Sequence, residues 1–474
     1  MRNLKLKFIM CPIHSTIEIN TYEKEAINHP LMQRLRHIMQ NDVLHLVFPG
    51  ATHSRLSHSL GTMHVAGTML DSIFQQKLND YCNEGNSITE DIRDSLNYLK
   101  SITRLAALSH DLGHHAFSHQ FSAAPAIRHY LNNPSTFTKL WGEDIDTRLY
   151  PSIPQHIEHE HYSVRATAEI LKDINIEQYD IYTSDVLSIM ETTTPVLSDK
   201  FHGVCQTVWK VLTSRNVAHP NNHTTHPSLY SEKVINILRN IISGEVDCDK
   251  ADYLARDSHY CGVPYGKVDN NSIIKNLSIT YSSEDGWLGL TLNNKAIGIL
   301  ESFVNARYSL FKHVYNHKTS NGFEHLLMNA IHELCEQNSI RDEIANSLYN
   351  IEGFIKLTDY RIWTHIDNYA HEHPRSFCAK LLKRQRIRYL GSVDADDTDL
   401  DKAKQEFEKH LREGEQLHMR SVHTKFSLIS DSFTDIKVLK TNSCTSELSL
   451  HKIYDVSEYF SMHKCSNTAF FHAS

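Results

Sequence analysis

The sequence predicts a mainly α-helical protein with a smaller α+β part at its C-terminal end. One observation is the stretch 88–108, which forms a long helical run ending in mostly apolar residues. A second is alternation typical of strands, which is confined to residues 8–20 and 424–440. With 40% hydrophobic and 22% charged residues among 474, the chain can bury a sizeable core. We expect a helical domain over residues 1–325 and an α+β lobe over 326–474.

The other elements follow in chain order. A helix is expected to begin at Pro30, because proline suits the first helical position and the apolar residues that follow share one face. Composition then favours a solvated surface for Arg34. Residues 123–157 are rich in Pro, Asn and Asp and are expected to be an irregular rim or lid, and the loop 219–226 is expected to be solvated. Further helices are expected over residues 164–171, 184–192, 205–214, 229–243, 247–257, 296–318, 323–348 and 402–417.

Composition and charge exclude several classes of protein. A formal net charge of −8, from 48 basic and 56 acidic residues, argues against a general nucleic-acid coat. No apolar stretch reaches the roughly eighteen residues of a membrane span, and the N-terminus lacks the apolar core of a signal peptide. The nine cysteines include no Cys-x-x-Cys pair and suggest no disulfide framework, so we expect a cytoplasmic protein without a membrane partner. Because the chain has 33 histidines, only groups of histidines carry weight.

The strongest chemical signal is the histidine-rich stretch that follows the long helix. His110 and Asp111 are adjacent there, and burying such a pair is costly unless something compensates both groups. A divalent metal ion does so, because it binds neutral imidazole nitrogen and carboxylate oxygen. If the helix continued, His114 would share a face with His110. A capped helix end with solvated histidines is the alternative.

Two further polar groups stand at expected helix starts. Arg55 and His58 follow a Pro-Gly turn and are three residues apart, hence neighbours on a helix. They suit an anion site beside a metal-held ligand, or a surface helix start, and these residues alone favour neither. His159 and Glu160 suit a general acid/base pair, or a charge that complements the helix dipole.

The helix expected over 247–257 carries chemistry on one face. Asp249, Tyr253 and Asp257 recur every four residues, and a phenol between two carboxylates favours a site over a solvated acidic face. Asp252 and Arg256 are also four apart and are expected to form a structural ion pair.

The helix expected over 296–318 carries a basic and aromatic face. Arg307, Phe311, Tyr315 and Lys318 lie on roughly that one face. Basic residues that flank an aromatic platform suit phosphates together with a sugar or base. A core stripe with snorkelling basic ends is the alternative.

These groups belong to a set of blocks whose order along the chain is informative. The blocks are Phe48-Pro49-Gly50-Ala51 with Arg55 and His58, His110-Asp111-Leu112-Gly113-His114 with Phe117-Ser118-His119, His159-Glu160, Asp249-Lys250 with Asp252-Tyr253, Ala255-Arg256-Asp257, and Tyr315-Asn316-His317-Lys318. Together they resemble the HD-domain deoxynucleoside-triphosphate triphosphohydrolases, over nearly the whole chain. A lone His-Asp pair is weak evidence, whereas spaced blocks in this order are strong. The resemblance implies that the helical domain is an HD-domain phosphohydrolase core.

By that resemblance the core depends on a divalent metal ion, with manganese, iron, magnesium and zinc all open. The residues that would hold it are His58, His110, Asp111 and Asp249. Two imidazoles and two carboxylates leave positions open for water and a phosphate oxygen. The residues that match catalytic positions around the α-phosphate and the leaving group are His114, His119, His159 and Glu160. One of these histidines would protonate the leaving 5′-oxygen, and which one is open.

The resemblance also implies a substrate and a reaction. A deoxynucleoside triphosphate (dNTP) would be cleaved to deoxynucleoside and inorganic triphosphate. The residues that match triphosphate contacts are Arg55, Lys250, Arg307 and Lys318. Gln40 and Asp257 match readers of the sugar 3′-hydroxyl, and Tyr253 and Tyr315 match residues that flank the deoxyribose. A tyrosine against C2′ would exclude a ribose hydroxyl.

Departures from the family pattern concern substrate preference and regulation. Asn41 stands where leucine is usual, Phe311 stands where histidine is usual, and His115-Ala116 replaces Gly-Pro. The positions that match a regulatory nucleotide site are Asn28, Gln33, Arg36 and Lys295. The family's guanine-reading aspartate is asparagine here, and a phosphate-binding arginine is Asn293, so the activating nucleotide is open. We expect a homo-oligomer assembled through the helices that bear these residues.

Two other functions stay open. The first is an HD phosphodiesterase or nucleotidase that acts on another phosphate ester, but Tyr253 and Gln40 beside the metal set favour dNTPs. The second is a catalytically silent nucleotide sensor or nucleic-acid-binding protein, which the basic run over 372–390 keeps open. The intact metal and acid/base residues count against it. A solvated face or a subunit contact is favoured for that run, and salt-dependent binding to single strands would discriminate.

Overall fold

The fold is dominated by helices, with three small sheets among the residues described. The computed structural model describes residues 7–142, 146–215, 217, 228–395, 398–424, 436–441, 448–462 and 466–474. The predicted fold class, mainly α with a smaller α+β part, is confirmed. Within these ranges, no helix is long and apolar enough to cross a lipid bilayer.

The bounds of the elements are as follows. The α-helices of the described ranges are α1 (Thr21–Asn28), α2 (Pro30–Arg34), α3 (Arg55–Asn83), α4 (Glu90–Ser109), α5 (Ser118–Ala123), α6 (Pro125–Leu131), α7 (Pro134–Trp141), α8 (His159–Asp173), α9 (Thr183–Ile189), α10 (Asp199–Leu212), α11 (Ser228–Ile242), α12 (Cys248–Cys261), α13 (Asn270–Asn276), α14 (Ile297–Leu310), α15 (Lys318–Glu336), α16 (Asn338–Tyr349), α17 (Ile351–Lys356), α18 (Asp359–Glu372), α19 (Phe377–Leu382), α20 (Leu400–Glu408) and α21 (Glu458–Met462). The strands are β1 (Lys7–Cys11), β2 (Ser15–Ile19), β3 (Leu277–Tyr281), β4 (Leu288–Asn293), β5 (Arg388–Asp394), β6 (Leu417–Thr424), β7 (Ile436–Thr441), β8 (Leu448–His451) and β9 (Ser466–Ala473).

Three packed helices position the candidate site. α3 packs against α4 and α12, and its first turn buries the side chains of Arg55 and His58. α4 begins where the Thr89 hydroxyl accepts a hydrogen bond from the Ile92 amide, with acidic residues in the first turn that complement the helix dipole. Its apolar side chains are buried, and each large one contributes about 1.5–3 kcal/mol relative to exposure. The helix ends as the chain reaches His110.

The sheets link parts of the chain that are distant in sequence. β1 and β2 form the hairpin predicted near the N-terminus. The order of the four-stranded sheet is β3-β4-β7-β8, and β4 runs parallel to β7 with Leu290 opposite Ile436. The order of the three-stranded antiparallel sheet is β5-β9-β6. Since α15 runs through residue 325 and β4 pairs with β7, the division into two domains stays a prediction.

Two expectations about exposed or irregular segments are wrong. The stretch 123–157 contains α6 and α7, which begin at Pro125 and Pro134. These prolines start helices, because the first helical residue needs no free amide hydrogen. Arg34 is 2% exposed and not solvated, because its guanidinium has backbone acceptors in the core.

The single helix predicted over 296–318 is also wrong. α14 ends at Leu310, a π-helical segment occupies Phe311–Tyr315, and α15 begins at Lys318. Such widened turns are frequent at functional sites because they redirect side chains. The loop 219–226 and residues 425–435 of the predicted C-terminal strands lie outside the described residues.

Candidate active site

The four residues predicted to bind a metal lie around one point. His58 comes from α3 and Asp249 from the first turn of α12, while His110 and Asp111 follow α4. His58 Nε2 is 3.0 Å from Asp249 Oδ1 and 3.7 Å from Asp111 Oδ2. His110 Nε2 is 3.4 Å from Asp111 Oδ1 and 3.6 Å from Asp249 Oδ1. The ligand atoms of His58, His110 and Asp249 lie within 4.8 Å of one another and could share one ion, and the Asp111 carboxylate lies beside both imidazoles.

Both imidazoles are oriented by their other ring nitrogen. His58 Nδ1 lies 2.7 Å from Asp252 Oδ2, and His110 Nδ1 lies 2.8 Å from the Ala107 carbonyl oxygen. Each Nδ1–H thus donates away from the cluster, and each Nε2 faces the carboxylates. Both Nε2 atoms are buried and make no well-aligned hydrogen bond within the described part of the chain. Buried nitrogens in this state, beside carboxylates, fit a bound cation.

The electrostatics of the cluster also indicate a cation. Burial on its own would lower the pKa of His58, yet the carboxylates of Asp249 and Asp252 raise that pKa to about 10. Burial disfavours the charged form of Asp249, yet His110 and His58 hold its pKa below the usual range. A proton on the imidazole thus stabilises the cluster where a metal ion would, and metal binding requires that proton to leave.

Arg55 connects this cluster to the neighbouring wall. Its guanidinium donates to Asp111 Oδ2 at 2.5 Å, to Ser118 Oγ at 2.8 Å and to the Gln40 carbonyl oxygen at 3.2 Å. The side chain is only 4% exposed. These bonds fix a positive charge beside a metal ligand, in a position suited to a phosphate oxygen.

The predicted catalytic histidines form a second group. The rings of His114 and His159 stack with centroids 3.9 Å apart, and His119 meets them edge-on at 4.9 and 5.3 Å. His114 Nε2 is 3.3 Å from Asp111 Oδ1, which joins the two groups. His159 Nδ1 is 3.2 Å from Glu160 Oε2, without the alignment of a hydrogen bond among the described residues.

Burial sets the protonation of this second group. It lowers the pKa of His114 well below the usual range, and Arg55 adds to the effect. It also lowers the pKa of His159 to about 3, although Asp111 opposes this. Burial raises the pKa of Glu160 to about 7. At neutral pH the two imidazoles are therefore neutral, and the carboxyl is close to its own midpoint.

The turn between α4 and α5, which carries His114, is held by two side chains that were not predicted from the sequence. Arg34 donates to the His114 carbonyl oxygen at 2.7 Å, across 80 residues. Asp359, in the first turn of α18, accepts the Phe117 amide at 2.7 Å, across 242 residues, and the Met39 amide at 2.8 Å. Phe117 has a φ of 50°, a left-handed conformation that these bonds help to maintain. No local pattern marks Arg34 or Asp359, because their partners are distant in sequence.

α4 does not continue to His114, so the condition under which His110 and His114 would share one helix face is not met. α4 ends at Ser109, and Gly113 lies so close to α8 that a Cβ there would be 1.8 Å from the His159 carbonyl oxygen. This close approach requires glycine, which also lacks the helix propensity to extend α4. His110 and His114 nevertheless line the same cavity.

A cavity of about 1070 Å³ opens over both groups. The predicted substrate residues that line it are Gln40, Arg55, Lys250, Tyr253, Asp257, Arg307 and Tyr315. The Tyr315 hydroxyl donates to Asp257 Oδ2 at 2.5 Å, and His53 Nε2 lies 2.7 Å from Asp257 Oδ1. The Arg307 guanidinium lies over the Phe311 ring, 4.7 Å from its centroid. Three candidate metal ligands (His110, Asp111 and Asp249), the cations and the predicted sugar readers thus line one chamber.

The chain is similar to several known proteins over most of its length. The human deoxynucleoside triphosphate triphosphohydrolase SAMHD1 is 27% identical over 367 residues, which is 75% of this chain and 50% of that protein. An uncharacterized protein of Methanocaldococcus jannaschii is 25% identical over 364 residues, 76% of this chain and 58% of that protein. The resemblance to the HD-domain dNTP triphosphohydrolases is confirmed. The chain spans little more than half the length of the curated relatives it matches, and no family model matches it.

Solved structures show the same fold. A phosphohydrolase from Bacteroides thetaiotaomicron superposes with a TM-score of 0.61 at 20% identity, and the match covers 99% of this chain and 100% of that chain. The helical core with its small sheets is therefore an arrangement already known from an experimental structure.

One residue matched to the HD-domain family lies apart from the cavity. The Lys318 ammonium is 5.0 Å from the centroid of the Tyr389 ring, and Lys318 does not line the chamber. The helical face predicted for it requires a continuous helix, which breaks between Tyr315 and Lys318. Its contact with triphosphate stays a prediction. Lys250, by contrast, is held at the wall, where its ammonium donates to Asp247 Oδ2 at 2.5 Å.

The residues matched to a regulatory site lie on four elements: the end of α1, α2, the turn that follows α2 and the turn that precedes α14. Arg36 Nε donates to Gln33 Oε1 at 2.6 Å, next to exposed Asn28 at the end of α1. Lys295 is exposed on the short turn that precedes α14. The structure therefore brings Gln33 and Arg36 into contact, and the regulatory role of all four residues stays a prediction.

Proposed function

We propose that this protein is a metal-dependent phosphohydrolase that cleaves dNTPs to deoxynucleoside and inorganic triphosphate. One observation carries the proposal: three of the candidate metal ligands, His110, Asp111 and Asp249, line the same chamber as the cations and the matched sugar readers. A metal ion, a polyphosphate and a deoxyribose are therefore accommodated together. The similarity to human SAMHD1, whose name states this activity, supports the choice of substrate.

The metal would be held by two imidazoles and two carboxylates. The residues are His58, His110, Asp111 and Asp249. This set of nitrogen and oxygen donors accepts manganese, iron, magnesium or zinc. Once bound, such an ion polarises the α-phosphate and lowers the pKa of the attacking water. Metal analysis of the purified protein identifies the ion.

The chain's own cations bind the triphosphate. Arg55 is fixed by three hydrogen bonds beside Asp111, so it meets an α-phosphate oxygen without reorganising. Lys250 and Arg307 line the same chamber and take the outer phosphates. Because none of these cations is fully exposed, the interaction is screened less by salt than a surface pair would be.

A proton must reach the 5′-oxygen as the deoxynucleoside leaves. The 3.2 Å contact between His159 and Glu160 supports this pair as the proton source. A bound triphosphate raises the pKa of nearby imidazoles, so His159 gains a proton where it was neutral. Glu160, with its pKa of about 7, supplies that proton at neutral pH.

The sugar readers set the preference for deoxyribose. Asp257 is fixed by His53 and Tyr315, and each carboxylate oxygen keeps a second lone pair for a 3′-hydroxyl. Tyr253, if pressed against C2′, leaves no room for a ribose hydroxyl. Ribonucleotides are then turned over at least about tenfold more slowly than dNTPs.

We also propose that a nucleotide activator acts through a homo-oligomer. The exposed Arg36 with its Gln33 contact supports a phosphate site on α2 and the turn that follows. Light scattering of the wild type and of Arg36→Ala, with and without each dNTP, tests both points. A nucleotide-dependent rise in mass that the variant lacks supports the proposal, and a mass that no nucleotide changes contradicts it.

Product analysis tests the proposed reaction. Purified protein is incubated with Mn²⁺ or Mg²⁺ and each dNTP, singly and as a mixture, and the products are separated by chromatography. Asp111→Ala removes a metal ligand, and Asp71→Ala, an exposed residue paired with Lys100, is the matched control.

The outcomes are distinct. Deoxynucleoside and intact triphosphate, formed by the wild type and the control but lost by at least about 100-fold in Asp111→Ala, support the proposal. A faster reaction in the mixture than with any single dNTP indicates an activator. If the dNTPs stay unchanged in every mixture, the proposed dNTP hydrolysis is rejected, and other phosphate esters or a sensor role are tested next.

A further inference from the structure

One cation on the chamber wall comes from the C-terminal sheet. Arg420 lies on β6 and lines the same chamber as Arg55 and Lys250. The elements that carry the candidate metal ligands, α3, α4 and α12, all come much earlier in the chain. A residue from beyond the predicted helical domain therefore reaches the chamber, and its role there is not explained by the metal centre.

The partner of Arg420 is a carboxylate on the same wall. Arg420 donates to Glu324 Oε2 of α15, and the two side chains are 36% and 13% exposed. The same oxygen accepts from Gln120 Nε2 of α5 at 2.8 Å. Gln120 directly follows His119, one of the predicted catalytic residues, and all four residues line the chamber. Side chains from β6, α15 and α5 thus meet at one carboxylate.

Glu324 lies on the side of the chamber that holds Arg55. Burial and the nearby Glu324 raise the pKa of Asp42 well above its usual range, and Arg55 acts on the same carboxyl in the opposite direction. Arg55 also donates to Ser118, at the start of the helix that carries Gln120. In the proposed reaction Arg55 meets an α-phosphate oxygen. Glu324 is therefore on the side where a triphosphate would bind.

A carboxylate on this side is unfavourable for an anionic ligand. Burial raises the pKa of Glu324, because little water solvates its charge, and Arg420 opposes that rise. An ionised Glu324 without a partner would repel a triphosphate, whose charge has the same sign. Because the Glu324 side chain is largely buried, this repulsion would be screened less by salt than repulsion at the surface.

We propose that Arg420 is a positioning residue that neutralises Glu324 and so keeps this wall of the chamber free of net negative charge when a triphosphate binds; this inference rests on the proposed function. Arg420 acts through Glu324 and need not touch the substrate. The C-terminal sheet thereby contributes to substrate affinity and not to the chemical step. Loss of the Arg420 charge accordingly raises KM with little change in kcat.

Substitutions at the two partners separate this role from a direct contact. Arg420→Met removes the positive charge, Arg420→Lys keeps it, and Arg420→Met combined with Glu324→Gln removes both charges. Steady-state kinetics with each dNTP and Mn²⁺ give kcat and KM, and calorimetric titration with the manganese complex of inorganic triphosphate gives Kd. All assays are run at about pH 8, which favours the ionised form of Glu324.

The matched control is another arginine of the same sheet. Arg388 on β5 pairs with Glu415, and neither residue is among the described residues that line the chamber. Arg388→Met therefore removes a comparable ion pair without changing the charge of the chamber wall. We expect this variant to keep the KM, kcat and Kd of the wild type, and thermal unfolding checks that every variant is folded.

The expected result is a defect in affinity that a second substitution relieves. Arg420→Met raises KM and Kd by about tenfold or more, while kcat changes by less than about threefold. Arg420→Lys stays within about threefold of the wild type, because the charge is kept. Adding Glu324→Gln to Arg420→Met restores KM and Kd to within about threefold, because no carboxylate is left to repel the triphosphate.

Other results overturn the inference. If KM and Kd are unchanged in Arg420→Met, the wall needs no neutralisation. If the defect persists when Glu324→Gln is added, Arg420 contacts the substrate itself or only supports the fold. Neither result affects the proposed function. If the wild type releases triphosphate from no dNTP, the proposed function falls, and the Kd values for manganese triphosphate decide the inference by the same comparison. Absence of binding by the wild type then overturns the inference as well.

Discussion

Asp252 is the residue that ties the candidate metal centre to the rest of the core. Its buried carboxylate accepts from His58 Nδ1 at 2.7 Å, from Arg256 Nε at 2.7 Å and from His14 Nε2 at 2.6 Å. The spacing of four residues predicted the Arg256 pair, and that prediction is confirmed. The contacts to His58 and His14 cross 194 and 238 residues, so no local pattern indicates them.

Replacing this carboxylate weakens metal binding. In Asp252→Asn a neutral amide with one acceptor oxygen replaces the carboxylate that His58, Arg256 and His14 share, so the His58 ring is held less firmly and affinity for the divalent ion falls about 10- to 100-fold. Calorimetric titration of the metal-free protein with Mn²⁺ measures the change, and Asp71→Asn is the control. An unchanged dissociation constant in Asp252→Asn would show that His58 needs no such support.

Glu160 gives the proposed reaction a pH dependence. Burial raises its pKa to about 7, and Glu191 and Glu158 add to the shift. The carboxyl therefore holds its proton below that pH and loses it above. If Glu160 transfers this proton to His159, kcat falls about tenfold per pH unit as the pH rises well above 7. In Glu160→Gln this alkaline limb disappears, and its persistence in a kcat–pH profile of that variant would assign the limb to another group.

At the scale of elements, the helices were predictable and their breaks were not. α3, α4, α8 and α12 follow from apolar spacing and from polar residues at their starts, and the structure contains all of them. The end of α4 depends on packing of Gly113 against α8, which lies 46 residues further along the chain and leaves no signal near α4. The π-helical segment after α14 contributes Phe311 and Tyr315 to the chamber, whereas the local pattern predicted a continuous helix there.

The substitution Gly113→Ala tests the contact between α8 and the turn that follows α4. In Gly113→Ala the new Cβ would be 1.8 Å from the His159 carbonyl oxygen and 2.4 Å from the Ser163 amide nitrogen, so α8 must move. We expect a loss of about 1–3 kcal/mol of unfolding free energy, measured in urea, and at least a tenfold loss of kcat.

A matched substitution separates this clash from the general effect of alanine. Gly203→Ala lies in α10 with nothing within 4 Å of the added Cβ, so it gains about 0.5–1 kcal/mol of stability and keeps full activity. Equal stability changes in the two variants would contradict the packing seen at Gly113.

For the whole molecule, the two ends of the chain are not separate. β4 pairs with β7 in parallel, α15 runs through the predicted boundary, and Arg420 reaches the chamber from β6. The change in composition after about residue 325 predicted a second lobe; the described residues of that part contain the sheet of β5, β9 and β6, and the division into two domains stays a prediction. Strand pairing between residues more than a hundred positions apart, as in β4 and β7, depends on tertiary packing. The periodicity of a local stretch of sequence does not indicate it.

A fragment of residues 1–325 tests this connection. The cut removes most of α15 and leaves β4 without β7, so backbone groups and apolar side chains lose their partners. We expect a fragment without a cooperative thermal transition in circular dichroism, in contrast to the full chain. A cooperative transition together with full metal affinity would show that the helical domain folds independently.

The most direct test of the account follows the oxygen of the attacking water. The protein turns over a dNTP with Mn²⁺ in oxygen-18 water, and mass spectrometry identifies the products and the position of the label. Attack on the α-phosphate, supported by His58, His110, Asp111 and Asp249, predicts unlabelled deoxynucleoside and inorganic triphosphate that carries one oxygen-18 atom. Deoxynucleoside monophosphate with pyrophosphate, or deoxynucleoside diphosphate with phosphate, would contradict the proposed reaction, because a bond other than that between the α-phosphorus and the 5′-oxygen would then be broken.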